Sequence, residues 1–145
     1  MEDCPFCAIV EGRLPSSVVS ETMNAIAFLD LRQAVQGHVL VVPRQHVETI
    51  YVLEPDLAAE LMQLAVCVAQ ALQVTMHPQG LNLWQSNGEA GGQEVPHFHL
   101  HVQPRRYDDG LLRIYPDSVP EPASRELLDR LADAIRPHLA TPTGT

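Results

Sequence analysis

Positive charge is scarce in this chain of 145 residues. Nine Lys plus Arg face eighteen Asp plus Glu, for a formal net charge of −9. That balance argues against nonspecific nucleic-acid binding, which needs a basic surface. It also gives an anionic substrate no help from the global field, so any phosphate must be held locally, by backbone N–H groups, protonated histidine or a metal. There is no run of about 18 apolar residues of the kind a transmembrane helix needs. The opening MEDCPFC lacks a basic region followed by an apolar stretch, so no secretory leader is expected. Cysteine is limited to Cys4, Cys7 and Cys67. An odd count without a leader fits a reducing, cytoplasmic setting with free or metal-bound thiols. No internal repeat is present, and the length suits one compact domain with a sizeable core.

The apolar pattern outlines the elements. Residues 5–12 read as a short helix or turn. Val18 to Met23 and Ala25 to Asp30 read as two strands, with Asn24 near a hairpin turn. Gly37 opens His38-Val39-Leu40-Val41-Val42, a β-branched run suited to a strand buried on both faces, stopping at Pro43. Pro55 and Asp56 begin a helix. Its face is Leu57, Leu61, Leu64, Ala65, Val68 and Leu72, and it ends before Pro78 and Gly80. Cys67 is placed on the apolar side of this helix, as core packing. Leu81 to Ser86 is another strand, and the Gly-rich loop NGEAGGQEV follows. Residues 124–139 read as a last amphipathic helix with Ser124 as N-cap. Short consecutive strands with one long inserted helix predict an antiparallel α+β domain.

The loop leads into His97-Phe98-His99-Leu100-His101-Val102. On a strand, successive side chains point to opposite faces, so three imidazoles line one face and three apolar residues the other. Imidazole can act near neutral pH as nucleophile, general acid or base, or metal ligand. Such a row points to a reaction centre or a metal site. A tag would be consecutive and terminal, and a solvated strand face more often carries Thr, Lys or Glu. Gly91 and Gly92 permit a tight turn whose N–H groups can hold an anion.

The segment GGQEVPHFHLHVQPR resembles the signature of the histidine triad superfamily of nucleotide hydrolases and transferases. AIAFLDL, GHVLVVPRQHV and NGEAGGQ follow that family's order, and CPFCAIVEGRLP resembles its prokaryotic branch. The resemblance covers residues 4 to about 105. It implies a mostly antiparallel sheet with two main helices, assembled as a two-fold homodimer. The domain would span 1–105, with 106–145 an extension packed on it or on the dimer. The resemblance also implies a purine nucleotide substrate; the charge balance and the lack of a long apolar run set the expectation of no nucleic acid or membrane as partner. It casts His99 as the nucleophile on the α-phosphorus, His101 near the phosphate oxygens and leaving group, and His97 and His38 as the pair supporting His99. Asp30 would bind the ribose, with Phe28 and Leu31 near the base. Asn87, Gly92, Gln93 and Val95 would contact phosphate or its bridging atom. Many relatives carry Ser or Thr after the loop glutamine; here the residue is Glu94, which is not expected to bind phosphate.

The chemistry is coherent by itself. Neutral imidazole is a good nucleophile without an activating base, and the labile P–N bond it forms can be hydrolysed in a second step. Cys4-Pro5-Phe6-Cys7 is half of a zinc site by spacing; the alternatives are free thiols or a redox pair. The resemblance completes a structural zinc set as Cys4, Cys7, His46 and His97. The expected function is cleavage at the α-phosphate of a nucleoside phosphoramidate or dinucleoside polyphosphate through a nucleotidyl-His99. The alternative is a nucleotide-binding scaffold or regulatory protein with a structural zinc and little turnover. Residues 106–120 are expected on the leaving-group side, with Arg105 or Arg106 available to an anionic leaving group, or else the tail packs on the outer face of the sheet.

Overall fold

The computed structural model describes residues 3–111 and 120–139. Its contacts group the chain into two units, Met1–Asp109 and Gly110–Thr145. The first holds α1 (Pro5–Val10), β1 (Val18–Glu21), β2 (Ala25–Leu29), β3 (Val39–Pro43), α2 (Pro55–Met76), β4 (Gly80–Trp84) and β5 (Leu100–Arg105). The strands form one five-stranded sheet in the order β1-β2-β3-β5-β4, with every neighbouring pair antiparallel. This is the expected α+β class.

β3 is central, and all five of its residues are buried, as its unbroken apolar run requires. The sheet buries two faces differently. On one, Ala25, Ala27, Val39, Val41, Phe98, Leu100 and Val102 pack with Leu61, Leu64, Ala65, Val68 and Leu72 of α2. Pro55 suits the first turn of α2, where its missing N–H costs nothing. The helix ends at His77, whose φ of 46° is left-handed. Leu61 is fully enclosed; truncating such a leucine costs about 2–5 kcal/mol. Glu60 tethers α2 to the β1–β2 turn, accepting from Asn24 N at 3.0 Å, Asn24 Nδ2 at 2.9 Å and the Thr22 hydroxyl. On the other face, Ile26, Phe28, Leu40 and Val42 are covered by Cys4, Phe6 and Cys7.

Several expectations need correction. Cys67 is exposed, because it lies off the arc of α2 defined by Leu61, Leu64 and Val68. β5 runs through Pro104 to Arg105, with Pro104 opposite Leu81. α2 has the length and mean hydropathy (1.5) of a membrane span, yet its buried arc is the domain core. In the second unit, Ser124 caps α3 (Arg125–Ile135) by accepting from Leu127 N at 3.2 Å. Leu128, Leu131, Ile135 and Leu139 are exposed within the single chain.

Candidate functional site

Register builds the site. Phe28 pairs with Leu40, Leu40 with His101, and His101 with Trp84. These four residues form a row across four strands on the face that α1 partly covers. His97 and His99 precede β5, which starts only at Leu100; the expected histidine strand is therefore shorter than its alternation suggested. The histidine row is also partly covered. Phe6 of α1 meets the His99 ring edge-on at 5.1 Å and the His97 ring at 5.7 Å.

The three imidazoles have different partners. His97 is fully buried, and its Nε2–H donates to the Pro43 carbonyl at 2.8 Å. That bond leaves Nδ1 unprotonated, facing Cys4 Sγ at 3.3 Å and Cys7 Sγ at 3.6 Å. His46 Nδ1 lies 3.3 Å from Cys7 Sγ. The ligating atoms of Cys4, Cys7, His46 and His97 all lie within 4.8 Å of one another. Two sulfurs and two nitrogens converging in a buried site match the donor set of a tetrahedral metal. Burial pushes the His97 pKa down to about 4, so the nitrogen is a free ligand at neutral pH. Burial, then the neighbouring Cys4, raises the Cys7 thiol, a penalty that a cation between the sulfurs would reverse.

His99 Nδ1–H donates to the His97 carbonyl at 2.6 Å, so Nε2 carries the free lone pair. His97 thus supports His99 through its carbonyl, while its ring serves the thiol cluster. His38 sits with His101: Nε2 lies 3.0 Å from His101 Nδ1, and Nδ1 lies 3.6 Å from Asp30 Oδ2. Trp84 stacks on His101 with centroids 4.3 Å apart and planes 1° off parallel. Burial lowers the His101 pKa to about 3, with His99 and His38 adding to the effect. Burial likewise lowers His38, against the pull of Asp30, and His99. All three rings are neutral at pH 7.

A cleft of about 1160 Å³ opens over the row. Its lining includes Phe28, Asp30, Leu31, His38, His99 and His101, with Gly92, Glu94 and Val95 from the loop. Asn87 and Gln93 do not line it. Asn87 Oδ1 accepts from Ile50 N at 2.7 Å. Gln93 accepts from Gly88 N at 2.8 Å and donates to the Glu48 carbonyl at 2.7 Å. Both side chains shape the loop. Arg105 is also not at the cleft: it binds Asp109 and Asn82, and Arg106 donates to the Met76 carbonyl. Residues 112–119, most of the segment expected near the leaving group, lie outside the described residues. Sequence reading missed Trp84, although it is the only tryptophan, and Gln33. Gln33 accepts from Gly37 N and His38 N and donates to the Asp30 and His38 carbonyls, holding the connection that presents His38.

Residues 11–108 match the HIT domain. The chain belongs to the HIT family. A crystal structure of a HIT family member from Bacillus subtilis superposes with a TM-score of 0.89 at 34% identity, over 97% of this chain and 99% of that one. The adenosine 5'-monophosphoramidase of Schizosaccharomyces pombe is 34% identical over 102 residues, 70% of this chain and 74% of its own. A zinc-bound histidine triad protein from Mycobacterium smegmatis matches at 33% identity and a TM-score of 0.71, over 94% of this chain and 95% of that one. The HIT fold is therefore shared with these relatives, one of which is zinc-bound.

Proposed function

We propose that this HIT protein is a nucleotide hydrolase that cleaves at the α-phosphate of a purine nucleoside phosphoramidate or dinucleoside polyphosphate through a covalent nucleotidyl-His99. The observation that carries this reading is the His99 tautomer: its Nδ1–H is committed to a carbonyl at 2.6 Å, which leaves Nε2 as a neutral nucleophile in the cleft. The phosphoramidase activity of the fission yeast relative agrees with it.

In the first step, His99 Nε2 forms a bond to phosphorus as the bond to the leaving amine or oxygen breaks, and the leaving group takes a proton from water. Water then attacks phosphorus, the P–N bond to His99 breaks, and nucleoside monophosphate departs. Phe28, Asp30 and Leu31 hold the nucleoside. Gly92 and Val95 bring the loop backbone near the phosphate, and His101, fixed between Trp84 and His38, meets its oxygens. Cys4, Cys7, His46 and His97 are the residues that would hold zinc, which when bound ties the N-terminus to the sheet. A two-fold dimer would join chains along β4, the edge strand of the described sheet, where Leu81 and Leu83 are exposed. Residues 106–145 form an extension to the domain.

His99→Gly tests the reading. Turnover of an adenosine phosphoramidate should vanish while nucleotide affinity stays within a few-fold, and acid quench of the native enzyme should trap a phosphorus–nitrogen adduct on residue 99. A His99→Gly protein that works at the native rate would refute the nucleophile.

A further inference from the structure

We infer that Glu94 selects the leaving group by its charge, favouring departing amines that carry a second, positively charged group and rejecting polyphosphates. The inference rests on the hydrolase reading above and narrows its substrate class.

Glu94 lines the cleft with Gly92, Val95 and His99. It is exposed. Its carboxylate makes no hydrogen bond or ion pair among the described residues, so its charge is not cancelled locally. The backbone on either side is anchored. Gln93 N donates to the Gly88 carbonyl at 3.1 Å, Gln93 holds Gly88 N and the Glu48 carbonyl through its side chain, and the Val95 carbonyl accepts from His97 N at 2.8 Å. The carboxylate is therefore presented from a fixed wall. It shares the cleft lining with the His99 ring.

The charge inventory of the cleft supports the same conclusion. Asp30 and Glu94 are its carboxylates, and among the described lining residues Arg32 is the one fixed cation. Arg32 belongs to the β2–β3 connection beside Asp30, whose Oδ1 accepts from Arg32 N at 2.9 Å. That wall is the nucleoside's. Residues 92, 94 and 95 line the cleft together with His99, and the charge they bring to it is that of Glu94. The two arginines that follow the triad cannot offset it, being bound by Asp109, Asn82 and Met76. A polyphosphate thus carries several negative charges toward a carboxylate with no compensating cation among the described residues, on a chain of net charge −9. An ammonium-bearing amine meets attraction instead. At a partly exposed site each unit of leaving-group charge changes kcat/KM by roughly tenfold.

The test uses one nucleoside joined through a phosphoramidate to three amines of matched length, bearing a terminal ammonium, a methyl or a carboxylate, together with a dinucleoside tetraphosphate. The full chain should rank them ammonium, methyl, carboxylate, with the tetraphosphate last. Glu94→Gln should shrink the ammonium-to-carboxylate ratio of kcat/KM by about a factor of 100, roughly tenfold for each of the two charge steps. Glu94→Lys should invert it. Both variants alter an exposed side chain, and a native melting curve confirms that they fold. An equal ratio in the native protein and Glu94→Gln, with the methyl substrate still hydrolysed, sinks the role of Glu94 alone. If the native protein hydrolyses none of the four, the hydrolase reading falls and the charge preference falls with it.

Discussion

Gly37→Ala should be the most damaging single-methyl change on this sheet. Gly37 has φ +102°, a region that L side chains rarely adopt. Forcing alanine there costs about 1–3 kcal/mol of backbone strain. The added Cβ would also stand 3.0 Å from Pro104 Cγ, 3.2 Å from Leu72 Cδ2 and 3.4 Å from Met76 Cγ. Pro104 belongs to β5, and Leu72 and Met76 to α2, so relief requires moving a helix against the sheet, worth a further ~1–3 kcal/mol. The stiffer unfolded chain offsets only about 0.4–1 kcal/mol. The net loss is about 3 kcal/mol, a drop in Tm of roughly 10–20 °C for a domain of this size. Gly12→Ala is the internal control: its φ is +73°, but nothing lies within 4 Å of the new methyl. That variant pays strain alone, for a net loss of about 1 kcal/mol. Thermal denaturation by circular dichroism, run on both proteins side by side, should place Gly37→Ala clearly below Gly12→Ala. Equal melting temperatures would refute the packing argument. Gly37 N and His38 N both donate to the Gln33 side-chain Oε1, at 2.8 and 3.2 Å, so turnover should fall in Gly37→Ala as His38 moves.

Two further outcomes follow from the buried histidines and thiols. His101, with a folded pKa of about 3 against 6.5 when free, excludes a proton that the unfolded chain accepts; its stabilising effect is complete above about pH 6.5 and is lost as pH falls toward 3. The urea midpoint of metal-free protein, followed by emission of Trp84, should therefore fall between pH 7 and pH 5, and His101→Asn should flatten that slope; an unchanged slope would overturn the assignment. Purified native protein should contain about one zinc per chain, and Cys4→Ser or Cys7→Ser should lose it and melt lower. Stoichiometric zinc after both cysteines are replaced would rule out the ligand set of Cys4, Cys7, His46 and His97.

The elements were legible because their signals are local. The five-residue apolar run of β3, the arc of α2, Pro55 at its start and Ser124 before α3 are read from neighbours two to four positions apart. So was the convergence of chemistry on residues 97–101, since six residues of strict alternation leave few other readings. What the alternation could not say is where each ring goes. His97 turns to thiols about ninety positions earlier, whereas His101 meets His38 across 63 positions. Those partners depend on sheet register, on how far α1 folds back over the face, and on a carbonyl at Pro43 that selects a tautomer. The stack of Trp84 on His101 exists because antiparallel pairing puts position 84 opposite position 101. Cys67 shows the same limit within one helix: apolar neighbours on a nearly uniform apolar segment do not reveal the orientation of the helix, and only docking onto the sheet turned Leu64 and Val68 inward and left Cys67 outside. Local periodicity thus determined the elements and the kinds of chemistry they carry, while long-range pairing, through register and burial, decided which imidazole turns to the thiols and which to the cleft.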